Sequence, residues 1–351
     1  MKMVICTVEE QKFTIVDPQS FFDQNIDNYN AHNWFFDQFT TIWNFFLNQR
    51  RFKSAEYVWE KALKFSYEWQ EKNPNKKIHK GTPYYFWGVT CILNADLEKV
   101  FLLMHQALEE DKRTLQSDAP QTPAYYFVTL DYENQKQFFR PKVEAIAKFA
   151  DEKLNAYRSL KRGALTLSDF KSKFLENLAL REVVFYFVFT IFNLKKLTQE
   201  IDKKLTENVF SSLLQTNTLF DLCLIVENTI KKQNIDNNAN LEQETMGSLL
   251  VEFLYPKSLL NIDGSKIKEL SGAFKSPSDF SNALQKMLNS QYCFKDGTTL
   301  QPIEEDFAIT YGFRNFGAHK IEDQPVVYKK FDEISRRILN ALFFSVEKLY
   351  K

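Results

Sequence analysis

Near the C-terminal end, Tyr311-Gly312-Phe313-Arg314-Asn315-Phe316-Gly317-Ala318-His319-Lys320 sets an arginine, an asparagine and one of only four histidines within six residues. These are the groups that phosphodiester chemistry on RNA needs. Cleavage by the neighbouring 2′-hydroxyl requires one group to take its proton, another to protonate the leaving 5′-oxygen, and positive charge for the pentacoordinate phosphorane. Imidazole titrates near neutrality, so His319 suits the proton transfers. The planar, permanently charged guanidinium of Arg314 suits the phosphate. Asn315 suits holding the ribose or the imidazole.

On a helix turning about 100° per residue, Asn315 and His319 share a face, whereas Arg314 and His319 diverge by roughly 140°. Arg314 must then use its long side chain to reach the same cleft. One imidazole cannot readily act as acid and base in a single step. The plainer alternative is a capped surface turn ahead of a helix, with a structural histidine.

Arg-Asn-x-x-x-His resembles the signature of the HEPN superfamily, small helical domains of toxin endoribonucleases and CRISPR-associated ribonucleases. Its pattern is Arg, a short spacer, then His, with Asn common after the Arg. The resemblance implies a metal-independent endoribonuclease that needs no cofactor and leaves a 2′,3′-cyclic phosphate or 3′-phosphate and a 5′-hydroxyl. It also implies a homodimer in which two motifs face each other across a two-fold axis, and a role in phage defence, toxin systems or stress responses. Under it, His319 transfers protons, Arg314 binds the phosphate and transition state, and Asn315 positions them. Such domains often carry a polar residue on an early helix facing the motif. Glu227 and Asn228, in the apolar run Leu222 to Asn228, are candidates to orient Arg314 or the imidazole, with Asp221 weaker. Taken alone, Glu227 reads as a helix-end charge at the surface. The departure is Pro325, which breaks or kinks the motif's helix between Lys320 and Val326.

The rest of the chain narrows the classes. A length of 351 residues suggests two domains, and a formal net charge of zero requires any RNA site to be local. Apolar content of 44%, with 34 Phe against 9 Gly and 10 Pro, fits a well-buried, mostly helical protein. Cys6, Cys91, Cys223 and Cys293 stand singly and read as reduced core or near-core thiols of a cytoplasmic protein, so no metal site is expected. Phosphate loops, HExxH, GxSxG and paired-cysteine patterns are absent. His32, His79 and His105 lack partners at metal or triad spacing, and His105 reads as structural. The clusters Lys76-Lys77-Ile78-His79-Lys80 and Arg158, Lys161, Arg162 read first as solvated loops and second as phosphate contacts. No signal peptide is read at the N-terminus, and the apolar run Val183 to Leu194 is too short to span a bilayer.

The elements that must position the motif follow from periodicity. Residues 2 to 8 and 12 to 16 predict a small hairpin or an extended arm. Helices are expected over Asn33 to Asn48, Phe52 to Lys72, Tyr84 to Leu93 and Asp96 to about Leu115. A register of about 45 lays Ala55 on Val100, Ala62 on Ala107 and Leu63 on Leu108, as in tetratricopeptide or HEAT hairpins, although an irregular bundle has the same spacing by chance. Tyr125 to Tyr132 reads as helix or strand, Val143 to Leu160 as helix, and Phe170 to Leu197 as continuing helix. Further helices are read over Leu205 to Lys232, Thr245 to Leu254, residues 278 to 289 and Val326 to Tyr350, with Cys293 to Glu305 a surface loop.

The expectation is therefore an all-α protein in two parts. Residues 1 to 195 form a helical-hairpin, repeat-like domain that senses a protein or ligand activator or an antitoxin, and 196 to 351 an HEPN-type bundle that cuts RNA as a dimer. The rival is a non-catalytic helical scaffold that dimerises and recruits a protein partner.

Overall fold

The computed structural model of the chain describes residues 1–116, 121–136, 138–201, 203–206, 209–233, 244–316 and 325–351. Among those residues the fold is all-α apart from one hairpin and an isolated bridge between Cys293 and Thr299, and the chain divides into two compact units, Met1–Glu144 and Ala145–Lys351. The division falls earlier in the chain than residue 195.

In the first unit, strand β1 (Met3–Val8) pairs antiparallel with β2 (Gln11–Val16), so the arm is a hairpin. Its two turn residues, Glu9 and Glu10, both take positive φ, 43° and 60°. That backbone matches the right-handed twist of the flanking strands. Helix α1 (Pro18–Asn25) starts where the Asp17 side chain accepts from Ser20 N–H, and α2 (Tyr29–Asn48) where Asn28 accepts from Ala31 N–H. There follow α3 (Phe52–Lys72), α4 (Gly81–Leu93), α5 (Leu97–Leu115, capped by Asp96) and α6 (Pro123–Val128, capped by Thr122). Of the stretch Tyr125 to Tyr132, readable as helix or strand, the part up to Val128 is helix and the rest is turn.

From α2 to α6, each helix packs on the next. Their shared core is aromatic. Trp59 stacks on Phe86 with ring centroids 5.4 Å apart, and Trp43 Nε1 donates to Thr90 Oγ1 at 2.8 Å. Ala55, Val100, Ala62, Ala107, Leu63 and Leu108 are all buried, so the positions related by the register above are core positions in both helical pairs.

Helix α7 (Arg140–Ser159) leads into the second unit. The stretch expected as one long helix from Phe170 is broken. It comprises α8 (Leu167–Phe170), a widened π turn (Lys171–Leu175), a 3-10 turn (Leu178–Leu180), α9 (Arg181–Lys195) and a second π turn (Lys196–Glu200). α9 is a core helix: Val183, Val184, Phe187, Val188 and Ile191 are buried. Among the described residues no helix is long and apolar enough to cross a membrane.

Next come α10 (Val209–Lys232), α11 (Met246–Ser248) running into a third π turn (Leu249–Leu254), α12 (Gly264–Ala273), α13 (Pro277–Leu288), α14 (Pro302–Phe316) and α15 (Pro325–Leu349). α12, absent from the sequence reading, is capped by the Asp263 carboxylate. The expected loop to Glu305 is corrected. Pro302 opens α14, with Glu304 and Glu305 in its first turn, where the positive helix end favours acids. α10 packs on both α14 and α15, which also pack on each other. This three-helix contact frames the motif.

Candidate functional site

Arg314 and Asn315 occupy the last turn of α14, held by what lies upstream on the same helix. Asp306, fully buried two turns earlier, accepts from Arg162 Nε and from Asn340 Nδ2, both at 3.0 Å, and lies 2.9 Å from Arg337 Nε. Arg337 of α15 also donates to Glu305 Oε2 at 2.7 Å and to the Met287 carbonyl at 3.0 Å. Burial pushes the Asp306 carboxyl up to about 6, with Arg337 and Arg162 pulling the other way. One α14 carboxylate is thus tied to α15 and to the segment after α7. Gly312 lets the helix approach α12 closely: a Cβ there would stand 2.9 Å from Phe274 Cζ.

Glu227 meets the motif from α10. The buried stripe Leu219, Cys223, Val226 and Ile230 faces the neighbouring helices, and Glu227, four residues after Cys223, stands on it with 3% exposure. The expectation of a surface helix-end charge is therefore corrected. Its Oε2 accepts from Arg314 Nε at 2.5 Å and its Oε1 from Lys231 Nζ at 2.6 Å. A buried carboxylate needs such compensation, and two cations supply it. The Arg314 guanidinium lies over the Phe220 ring, 5.3 Å from its centroid, and the side chain keeps 28% exposure. Cys223 beneath it is buried, which pushes its thiol up.

The other candidates separate. Asp221 accepts from Tyr186 OH at 2.5 Å, and burial raises its carboxyl. Asn228 donates to its own helix at Leu224 O and lines an open groove of about 340 Å³ with Lys231, Lys232, Glu182 and Tyr186. Asn315 is half-buried at the end of α14. His319, with the residues up to Gln324, lies outside the described residues. Arg158 donates to Leu165 O, and Arg162 belongs to the Asp306 network rather than to a solvated loop. Among the described residues no three His, Cys, Asp or Glu side chains are grouped to hold a metal ion.

In the first unit the basic loop is only half solvated. Lys76 and Lys77 are exposed, but His79 and Lys80 are buried, a correction to the reading of that cluster. His79 N–H donates to His32 Nδ1 at 3.1 Å, and His32 Nε2 lies 3.1 Å from Asn25 O. His32 is therefore neutral with its proton on Nε2. Burial lowers both rings, that of His79 to about 4. Cys6, Cys91 and Cys223 are buried free thiols, whereas Cys293 is exposed.

Comparison of the chain with protein-family models, with curated proteins and with solved structures finds no match.

Proposed function

We propose that the chain is a metal-independent endoribonuclease of HEPN type that works as a dimer, with its site at the end of α14. The observation carrying this reading is the Glu227–Arg314 pair. The sequence singled out a carboxylate on α10 as a group able to orient the motif arginine, and the two side chains meet. An Nε hydrogen bond uses one of the five guanidinium donors and fixes the plane of the fork.

In the reaction, the ribose 2′-oxygen attacks phosphorus, the bond from phosphorus to the 5′-oxygen breaks, and a proton passes from the first oxygen to the second through the His319 imidazoles of the two subunits. Arg314 neutralises the phosphorane, Asn315 holds ribose or imidazole, and Glu227 positions Arg314. Arg314 and Lys231 set two positive charges against the single negative one of Glu227, so this group carries a local positive excess although the chain's net charge is zero.

A second reading, a non-catalytic dimerisation scaffold, is favoured by the same carboxylate's burial: a 3% exposed Glu227 accounts for Arg314 as a structural counter-ion. One experiment separates them. The purified chain is incubated with total RNA in EDTA, beside His319→Ala, with end mapping and light scattering. The nuclease reading expects cyclic-phosphate ends from the wild type, none from the variant, and the same dimer in both. Uncut RNA with the wild type, or equal cutting by the variant, leaves the scaffold.

A further inference from the structure

The first unit carries an open cavity of about 840 Å³, outside the site described above. That is within the range of roughly 300–1,000 Å³ typical of small-molecule sites. Four helices build it with helical spacing. Asn33 and Asp37 come from α2, Gly81, Thr82, Tyr85 and Phe86 from α4, Ala107, Asp111 and Leu115 from α5, and Thr122, Pro123 and Ala124 from the start of α6. Lys136 and Phe138, both exposed, complete the lining.

Within the lining Thr82 Oγ1 donates to Asn33 Oδ1 at 2.8 Å and Thr122 hydrogen-bonds the Asp111 carboxylate, which leaves the Tyr85 hydroxyl as the polar group still to be met. The Tyr85 side chain is 7% exposed, and its buried hydroxyl has no hydrogen-bond partner, a rare state for a tyrosine. Asp111 is 6% exposed, with His79 Nε2 3.6 Å away. That ring is neutral at physiological pH, so it gives the carboxylate no opposite charge. Gly81 keeps this corner open: a Cβ there would collide with Asp111 Oδ1 and His79 Nε2. The carboxylate thus already answers the positive end of α4, which leaves that end no claim on an anion. Asp37 adds a second acid against the single rim lysine. Around these acids stand the rings of Tyr85, Phe86 and Phe138.

From this cavity we infer a binding site for a small organic cation, an ammonium on an apolar or aromatic body. The ammonium sits between Asp111 and Asp37, its body lies against Phe86 and Phe138, and the Tyr85 hydroxyl bonds to it. Aromatic faces and the desolvated Asp111 carboxylate favour a cation over a neutral or anionic isostere, with the exposed Asp37 adding charge at the rim. The inference does not rest on RNA cleavage.

Calorimetric titration of the intact chain tests it, with phenethylamine as probe and phenethyl alcohol and phenylacetate as shape-matched controls. The expected result is saturable binding of the amine with a Kd of about 1 mM or tighter, and affinity about tenfold or more weaker for both controls. Asp111→Asn, checked for an unchanged helical spectrum, weakens the amine about tenfold or more. The variants Asp37→Asn and Phe138→Ala, both at exposed rim positions and each checked for an unchanged helical spectrum, weaken it about threefold. No saturable amine binding, phenylacetate binding as tightly as the amine, or rim variants binding like the wild type would overturn the assignment.

Discussion

Glu227 on α10 and Arg314 on α14 stand 87 residues apart in the chain and meet with Oε2 and Nε 2.5 Å apart. The carboxylate is buried and the guanidinium partly open, so the pair is asymmetric. Removing Arg314 leaves Glu227 in the core with Lys231 alone, whereas removing Glu227 leaves a guanidinium that still reaches water. In urea unfolding, Arg314→Ala is therefore expected to cost about 2–4 kcal/mol and Glu227→Gln about 1–2 kcal/mol. On RNA, Arg314→Ala is expected to lower cleavage about 100-fold or more, and Arg314→Lys to restore little, since an ammonium lacks the planar fork. Glu227→Gln keeps a hydrogen-bond acceptor and should lose about tenfold or less. Full activity in Arg314→Lys would show that only a point charge is used there.

Asp306 fixes α14 through Arg162, Arg337 and Asn340. Asp306→Ala strands the largely buried Arg162 and leaves Arg337 only the Glu305 carboxylate, and the expected loss is about 3–5 kcal/mol by denaturant midpoint. Asp306→Asn, keeping shape and one acceptor, should lose less. A cost below about 1 kcal/mol for the alanine variant would mean that the arginines find other partners.

His79 gives a pH dependence of known sign. Its folded value of about 4 lies below the ordinary 6.5, so between these the unfolded chain binds more protons than the native one. The stabilising contribution is complete above 6.5 and lost as pH falls toward 4. Asp111, pushed up to about 6 by burial, acts in the opposite direction below that pH, but it is common to wild type and variant. Between pH of about 7.5 and about 5, wild type should lose about 2 kcal/mol relative to His79→Gln. Parallel stability curves for the two proteins would show that the ring titrates normally.

Where the periodicity is strong or a cap is ordinary the sequence is readable closely: α3 spans Phe52 to Lys72 as expected on its apolar stripe alone, and Asp96 caps α5. Glu227 stands out in the sequence as a candidate yet reads as exposed, because the partner that allows its burial lies 87 residues away and no local pattern reports it. α12 went unread, although Asp263 ahead of Gly264 was a usable start signal. The start of α14 is hard to read because Glu304 and Glu305 look like loop charges until the Asn261 and Gln301 N–H groups are set against the first and Arg337 against the second. The cavity of the first unit was out of reach for a different reason: Asp37, Tyr85 and Asp111 sit on three helices at no telling spacing.

Among the described residues three π turns, Lys171–Leu175, Lys196–Glu200 and Leu249–Leu254, reset the direction of the side chains that follow them. A turn closed by an i+5 bond admits one more residue than an ordinary one, so the clock of side-chain directions slips by about 100° across it. A helical wheel drawn straight through such a turn assigns inward and outward faces wrongly on its far side. Each such segment is better treated as two short wheels, with the offset placed at the wide turn.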